Sequence, residues 1–159
     1  MAEARIFEDL KQDHDRHRKM LSEIDQTDGG AERRQKFEAL RKELQAHAAA
    51  EEESLYATML GIPDLRDDAR HSVSEHKEID DFLGELLEMD VDSADWEETF
   101  GKLQHRYLHH IDEEEEEMFP KAAGELSAEA EERIAKVFEK RKPRELARAA
   151  AEKPGDGRD

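Results

Sequence analysis

The sequence predicts an all-α protein: an up-down-up-down four-helix bundle followed by a short fifth C-terminal helix. Three observations predict it. Charged residues make up 43% of the chain and hydrophobic ones 36%, with 8 glycines and 4 prolines in 159 residues, a mix that suits long amphipathic helices. Apolar residues recur at steps of three and four through four long stretches. Short Gly-, Pro- and Asp-bearing breaks separate those stretches, and short connections make successive helices antiparallel neighbours. The expected organisation is a bundle over residues 1–125, a helical extension over 126–150 and a disordered tail over 151–159.

The first helix is expected from about Ala4 to Asp25, with Phe7, Leu10, His14, His17, Leu21 and Ile24 on its stripe. Asp28-Gly29-Gly30 ends it as a turn. The second runs from near Ala31 to about Leu60, striped by Phe37, Leu40, Leu44, His47, Glu51, Leu55 and Met59, and Gly61-Ile62-Pro63 breaks it. The third spans about Leu65 to Met89, with Ala69, Val73, His76, Ile79, Leu83 and Leu86 inward. Asp92-Ser93 supplies an N-cap for the fourth. Its stripe is Trp96, Phe100, Leu103, Tyr107, His110, Glu114 and Met118, and it is expected to stop before Pro120. Ser127 caps the fifth, with Ile134, Val137 and Phe138 on one face, and Lys142-Pro143 is expected to break or kink it.

Two stripe positions, Glu51 and Glu114, carry acids where Leu or Ile is expected. A carboxylate on a core face costs several kcal/mol unless something compensates it. The chain also repeats itself. His14, His47 and Glu51 recur as His76, His110 and Glu114 at offsets of 62, 63 and 63 residues. With 43 acids in the chain, one His-x-x-x-acid spacing is weak. His71–Glu75, His76–Asp80 and His109–Glu113 satisfy it too. Position on the apolar stripe and recurrence at matched offsets single out these six. Residues four apart lie on one helix face, so four helices bring four imidazoles and two carboxylates into one layer. That sulfur-free set suits iron, zinc or manganese, and two bound ions would neutralise the buried acids. His17 and Asp80 are expected to hydrogen-bond ligand imidazoles. His71, His105 and His109 read as surface residues, Glu113 to Glu117 apart from Glu114 as a solvated face, and the aromatics as ordinary core.

Composition excludes several alternatives. A net charge of −18 repels nucleic acid and anionic membranes. The chain has no cysteine, so disulfides, thiolate metal sites and catalytic thiols are ruled out. No apolar run reads as a signal peptide or a membrane span, and a cytoplasmic location is expected.

The segment Asp13-His14, His47-x-x-x-Glu51, Glu75-His76 and His110-x-x-x-Glu114 running on to Met118-Phe119-Pro120 resembles the hemerythrin-like family, the HHE cation-binding domains. The resemblance covers about Ile6 to Pro120. It implies a non-heme di-iron centre held by His14, His47, Glu51, His76, His110 and Glu114, bridged by the two carboxylates and an oxo or hydroxo group. It also implies small-molecule partners: dioxygen, peroxide or nitric oxide. The oxygen-carrying hemerythrins have a fifth histidine from a His-x-x-x-His on the third helix; here the position four after His76 is Asp80 and the one four before it is Ser72. Their fourth-helix carboxylate follows its histidine by five residues, against four here. An open or water-filled position favours reactivity, including catalase-like turnover, over reversible oxygen carriage. The other readings are a sensing or storage module without turnover, and a metal-free helical interaction protein.

Overall fold

The computed structural model describes residues 3–152; of the tail expected over 151–159, Ala151 ends the last helix and residues 153–159 lie outside the described residues. Seven α-helical segments follow in chain order: α1 (Arg5–Asp25), α2 (Gly30–Glu51), α3 (Ala57–Leu60), α4 (Pro63–Leu87), α5 (Ala94–Glu113), α6 (Phe119–Glu125) and α7 (Ala128–Ala151). A π-helical turn, Glu52–Tyr56, joins α2 to α3 without a break, and a second, Glu114–Met118, joins α5 to α6. Four rods result: α1, α2 with α3, α4, and α5 with α6. They form the up-down-up-down bundle, with a fifth helix beside it.

The turns form where the sequence offers them. Gly29 and Gly30 take φ of 123° and 66°, a region that favours glycine, and a Cβ on Gly29 would collide with Asp92 Oδ1. The Gly30 N–H donates to Asp92 Oδ1 at 2.8 Å. Arg33 is buried beside this turn. It donates to the Thr27 and Val91 carbonyls, each at 2.9 Å, tying the α1–α2 turn to the α4–α5 turn. Pro63 opens α4, where its missing N–H costs no helical bond. Ser93 and Ser127 cap α5 and α7 by accepting from Trp96 N–H and Ala130 N–H, each at 3.1 Å.

Two expectations are corrected. The fourth rod does not stop before Pro120. The π-helical turn interrupts the regular ladder just ahead of it, so Pro120 falls in the first turn of α6, where its ring and missing N–H are tolerated. Lys142-Pro143 does not break the fifth helix: α7 runs over 24 residues through Pro143, which is exposed, and so fills the extension expected over 126–150. It packs chiefly along α2.

The core is in two parts. One holds Phe7, Leu10, Leu55, Tyr56, Met59, Leu65, Phe119, Ile134 and Phe138. The other holds Leu21, Ile24, Phe37, Leu40, Leu83, Trp96, Phe100 and Leu103. On α1 the division falls between Leu10 and Leu21, where Asp13, His14 and His17 are buried. No helix among the described residues is long and apolar enough to cross a membrane.

Candidate metal centre

The layer between the two halves of the core is polar. His14, His47, Glu51, His76, His110 and Glu114 are each at most 3% exposed. They come from α1, α2, α4, α5 and the start of the second π-helical turn, and their inner atoms converge. Glu114 Oε1 lies 3.4 Å from His14 Nε2 and 3.3 Å from His110 Nε2. Glu51 Oε1 lies 3.5 Å from His47 Nε2 and 3.3 Å from His76 Nε2. Each carboxylate thus meets one imidazole from its own rod and one from the other half of the repeat. Among these six residues two groups have donor atoms within 4.8 Å of one another: His14, His47 and Glu51, and Glu51, His76 and His110. Glu51 belongs to both, as a carboxylate shared by two ions would.

The outer edges of the imidazoles fix what the inner edges can do. His14 Nδ1–H donates to Glu115 at 2.7 Å, His47 Nδ1–H to Asp13 at 2.8 Å, His76 Nδ1–H to Glu52 at 2.9 Å and His110 Nδ1–H to Glu75 at 2.8 Å. A carboxylate only accepts, so the proton of each neutral ring sits on Nδ1 and the Nε2 lone pair points into the layer. Carboxylate–imidazole pairs of this kind orient metal-binding histidines and make them more basic. Among the described residues nine buried side-chain N or O atoms find no hydrogen-bond partner, and six belong to this set: Nε2 of His14, His47 and His110, both oxygens of Glu51, and Glu114 Oε1. Buried polar atoms are rarely left so. A donor set of imidazole nitrogens and carboxylate oxygens, oriented inward and unsatisfied, fits a pair of transition-metal ions.

Charge balance in the ion-free layer comes from protons. Burial pushes the His47 imidazole down, but Asp13 and Glu51 outweigh it and raise the pKa to about 9. His110 rises to about 10 against burial, drawn up by Glu114 and Glu75. His14 and His76 are raised in the same way by the carboxylates on either side of each. Burial opposes ionisation of Glu114, yet His110 and His14 hold its pKa well below the usual range. Imidazolium protons and metal cations therefore compete for one place.

The structure assigns the outer bonds differently from the sequence reading. Asp13, Glu52, Glu75 and Glu115 make them, while His17 Nδ1 lies 2.6 Å from Tyr107 Oη and Asp80 accepts from Gln45 at 3.4 Å. Glu115 is thereby removed from the solvated face. A signal for the four was present: Asp13 and Glu75 each precede a stripe histidine, and Glu52 and Glu115 each follow a stripe glutamate, all in register with the repeat. Tyr56 was also missed. Its hydroxyl donates to Glu114 Oε2 at 2.5 Å, a role that Phe119, 63 residues on at the matching position of the repeat, cannot share. His109 lies outside the layer, with 61% of its side chain exposed.

Two cavities adjoin the centre. One of about 10 Å³ is lined by Leu44, His47, His76, Asp80, Leu83 and Tyr107. The other, about 220 Å³ and reaching the surface, includes His71, Glu75, His110, Glu113 and Glu114 in its wall.

Residues 5–122 match the family described as Hemerythrin HHE cation binding domain. Among solved structures the chain is similar to the crystal structure of a hemerythrin HHE cation binding domain-containing protein, the Rv2633c homolog from Mycobacterium kansasii. The two share 24% identity with a TM-score of 0.78, over 99% of this chain and 96% of that one. No curated protein matches the sequence.

Proposed function

Because the chain belongs to the hemerythrin HHE cation-binding domain family, we propose that it is a non-heme di-iron protein that binds or reacts with dioxygen, peroxide or nitric oxide. The observation that carries the reading is the inward, unsatisfied set of four imidazoles and two carboxylates. His14, His47, Glu51, His76, His110 and Glu114 would hold the ions, and iron bound there would supply redox chemistry and open positions for a small ligand. The residues around it do the rest. The 10 Å³ cavity beside His47 and His76 is about the size of one water molecule, which restricts a ligand there to small molecules.

Tyr107 lines the same cavity and presents a protonated hydroxyl there. Burial, then Glu114 and Glu51, push its pKa well above the ordinary tyrosine value, so its hydroxyl stays protonated. Burial drives the His17 pKa down to about 3, so the ring 2.6 Å from that hydroxyl is neutral and fixes its position by a hydrogen bond. Tyr56 steadies Glu114 from the other side.

The test uses iron-loaded protein. Azide should shift its visible spectrum, and added hydrogen peroxide should be consumed, with oxygen release if turnover is catalase-like. An unchanged spectrum together with unconsumed peroxide would overturn the reactive reading in favour of storage or sensing.

A further inference from the structure

We infer that His71, Glu75 and Glu113 form a surface site for a divalent cation, ferrous iron in this protein, from which the ion passes to the buried centre along the 220 Å³ cavity. The inference rests on the di-iron reading and adds the route by which the centre fills.

His71 Nε2 lies 3.5 Å from Glu75 Oε2 and 3.6 Å from Glu113 Oε1. These donor atoms all lie within 4.8 Å of one another, so one ion could touch all three residues. The set runs from surface to core: the His71 side chain is 57% exposed, Glu113 35% and Glu75 4%. Glu75 faces both ways. Its Oε2 is turned to His71, and its Oε1 accepts from His110. The cavity that holds the three is also walled by His110 and Glu114, at 1% exposure each, and both bring buried atoms without a partner, Nε2 and Oε1. An ion released inward therefore meets unsatisfied donors of the centre next. Asp68, Glu75, Glu113, Glu114 and Glu117 line the cavity against Lys121, which is paired with Asp68 at 2.8 Å. Arg106 reaches Glu75 at 3.7 Å but is held at 2.8 Å by Glu78. A cleft so lined concentrates cations at its mouth.

The other half of the repeat shows what a closed route looks like. Asp13 occupies the position of Glu75, but Lys142 from α7 sits on its Oδ2 at 2.8 Å, under a helix that covers that side. A fixed ammonium there repels an incoming cation; at Glu75 the neighbour is a histidine, which can bind one.

The test is anaerobic loading of metal-free protein with ferrous ions, followed by their withdrawal from a coloured ferrous chelator. The wild type should take up two ions per chain. His71→Ala, which deletes a donor without adding or removing an acid, and Glu113→Gln should each slow uptake about 10-fold while the final content stays at two. Glu129→Gln, an equal charge change on α7, should leave the rate alone. With the centre already loaded, the wild type should bind one further manganous ion weakly, and His71→Ala should not. Uptake in both variants at the wild-type rate, or a Glu129→Gln rate as slow as that of Glu113→Gln, would overturn the route while leaving the di-iron reading intact. A wild type that takes up no iron would overturn both.

Discussion

His110 and His109 are neighbours in sequence and differ in everything that matters for metal binding. His110 is 1% exposed, with Nδ1 held by Glu75 and Nε2 3.3 Å from Glu114; the His109 side chain is 61% exposed and lies 3.3 Å from Glu113. His110→Ala should therefore lose bound iron, while His109→Ala should keep the full amount. Metal analysis of the two purified variants checks this, and equal losses would show that the inward face is wrongly assigned. At this scale the six inward residues were legible because a charged or basic group on an apolar stripe is conspicuous. The residues that orient them were not. Asp13, Glu52, Glu75 and Glu115 lie at the edges of stripes in a sequence dense with acids, where only their recurrence in register with the repeat separates an acid turned to an imidazole from one turned to water. Tyr56 is hidden for a similar reason: an aromatic on a core face reads as packing until its hydroxyl is seen on Glu114.

At the scale of elements, periodicity located the helices and the caps, and it missed two departures from regular helix. Both π-helical turns, Glu52–Tyr56 and Glu114–Met118, adjoin the two inward carboxylates. A stretch of π-helix shifts the ladder by one residue with no loss of hydrophobic pattern, so the stripe alone cannot reveal it. The same shift lets Pro120 sit inside a continuous rod. In helix α7 a break or kink was expected at Lys142-Pro143, and the helix runs through it. Its inward residues instead make it part of the core: Ile134 and Phe138 are 1% and 3% exposed, and the Phe138 ring lies 6.0 Å from that of His47. We propose that the bundle and α7 unfold as one unit rather than as domain and appendage. Phe138→Ala should then destabilise the whole metal-free protein by about 3–5 kcal/mol in urea unfolding. A loss below about 1 kcal/mol, or a separate early transition, would mean that α7 is only attached.

For the whole molecule, the layer of buried charge couples stability to pH and to metal. The raised imidazoles help the ion-free fold by binding protons. With an ordinary histidine pKa of 6.5 in the unfolded chain, the contribution of His47 and His110 is fully present below that pH. It is lost as pH rises through about 9 and 10. Metal-loaded protein has cations in place of those protons and does not share this loss. The gap in melting temperature between metal-loaded and metal-free protein should therefore widen from pH 6.5 to pH 9, and uptake of metal should release protons into weakly buffered solution. Thermal melts at the two pH values check it; a gap that is constant or narrows would mean that imidazolium protons do not balance the buried carboxylates.

The central claim is that one layer of this bundle is built around two metal ions, and the most direct measurement is the iron content of reconstituted protein after excess metal is removed. Two irons per chain is the result predicted, because Glu51 is common to both donor groups and each carboxylate serves two imidazoles. Protein that remains free of iron, or saturates at one ion, would contradict it.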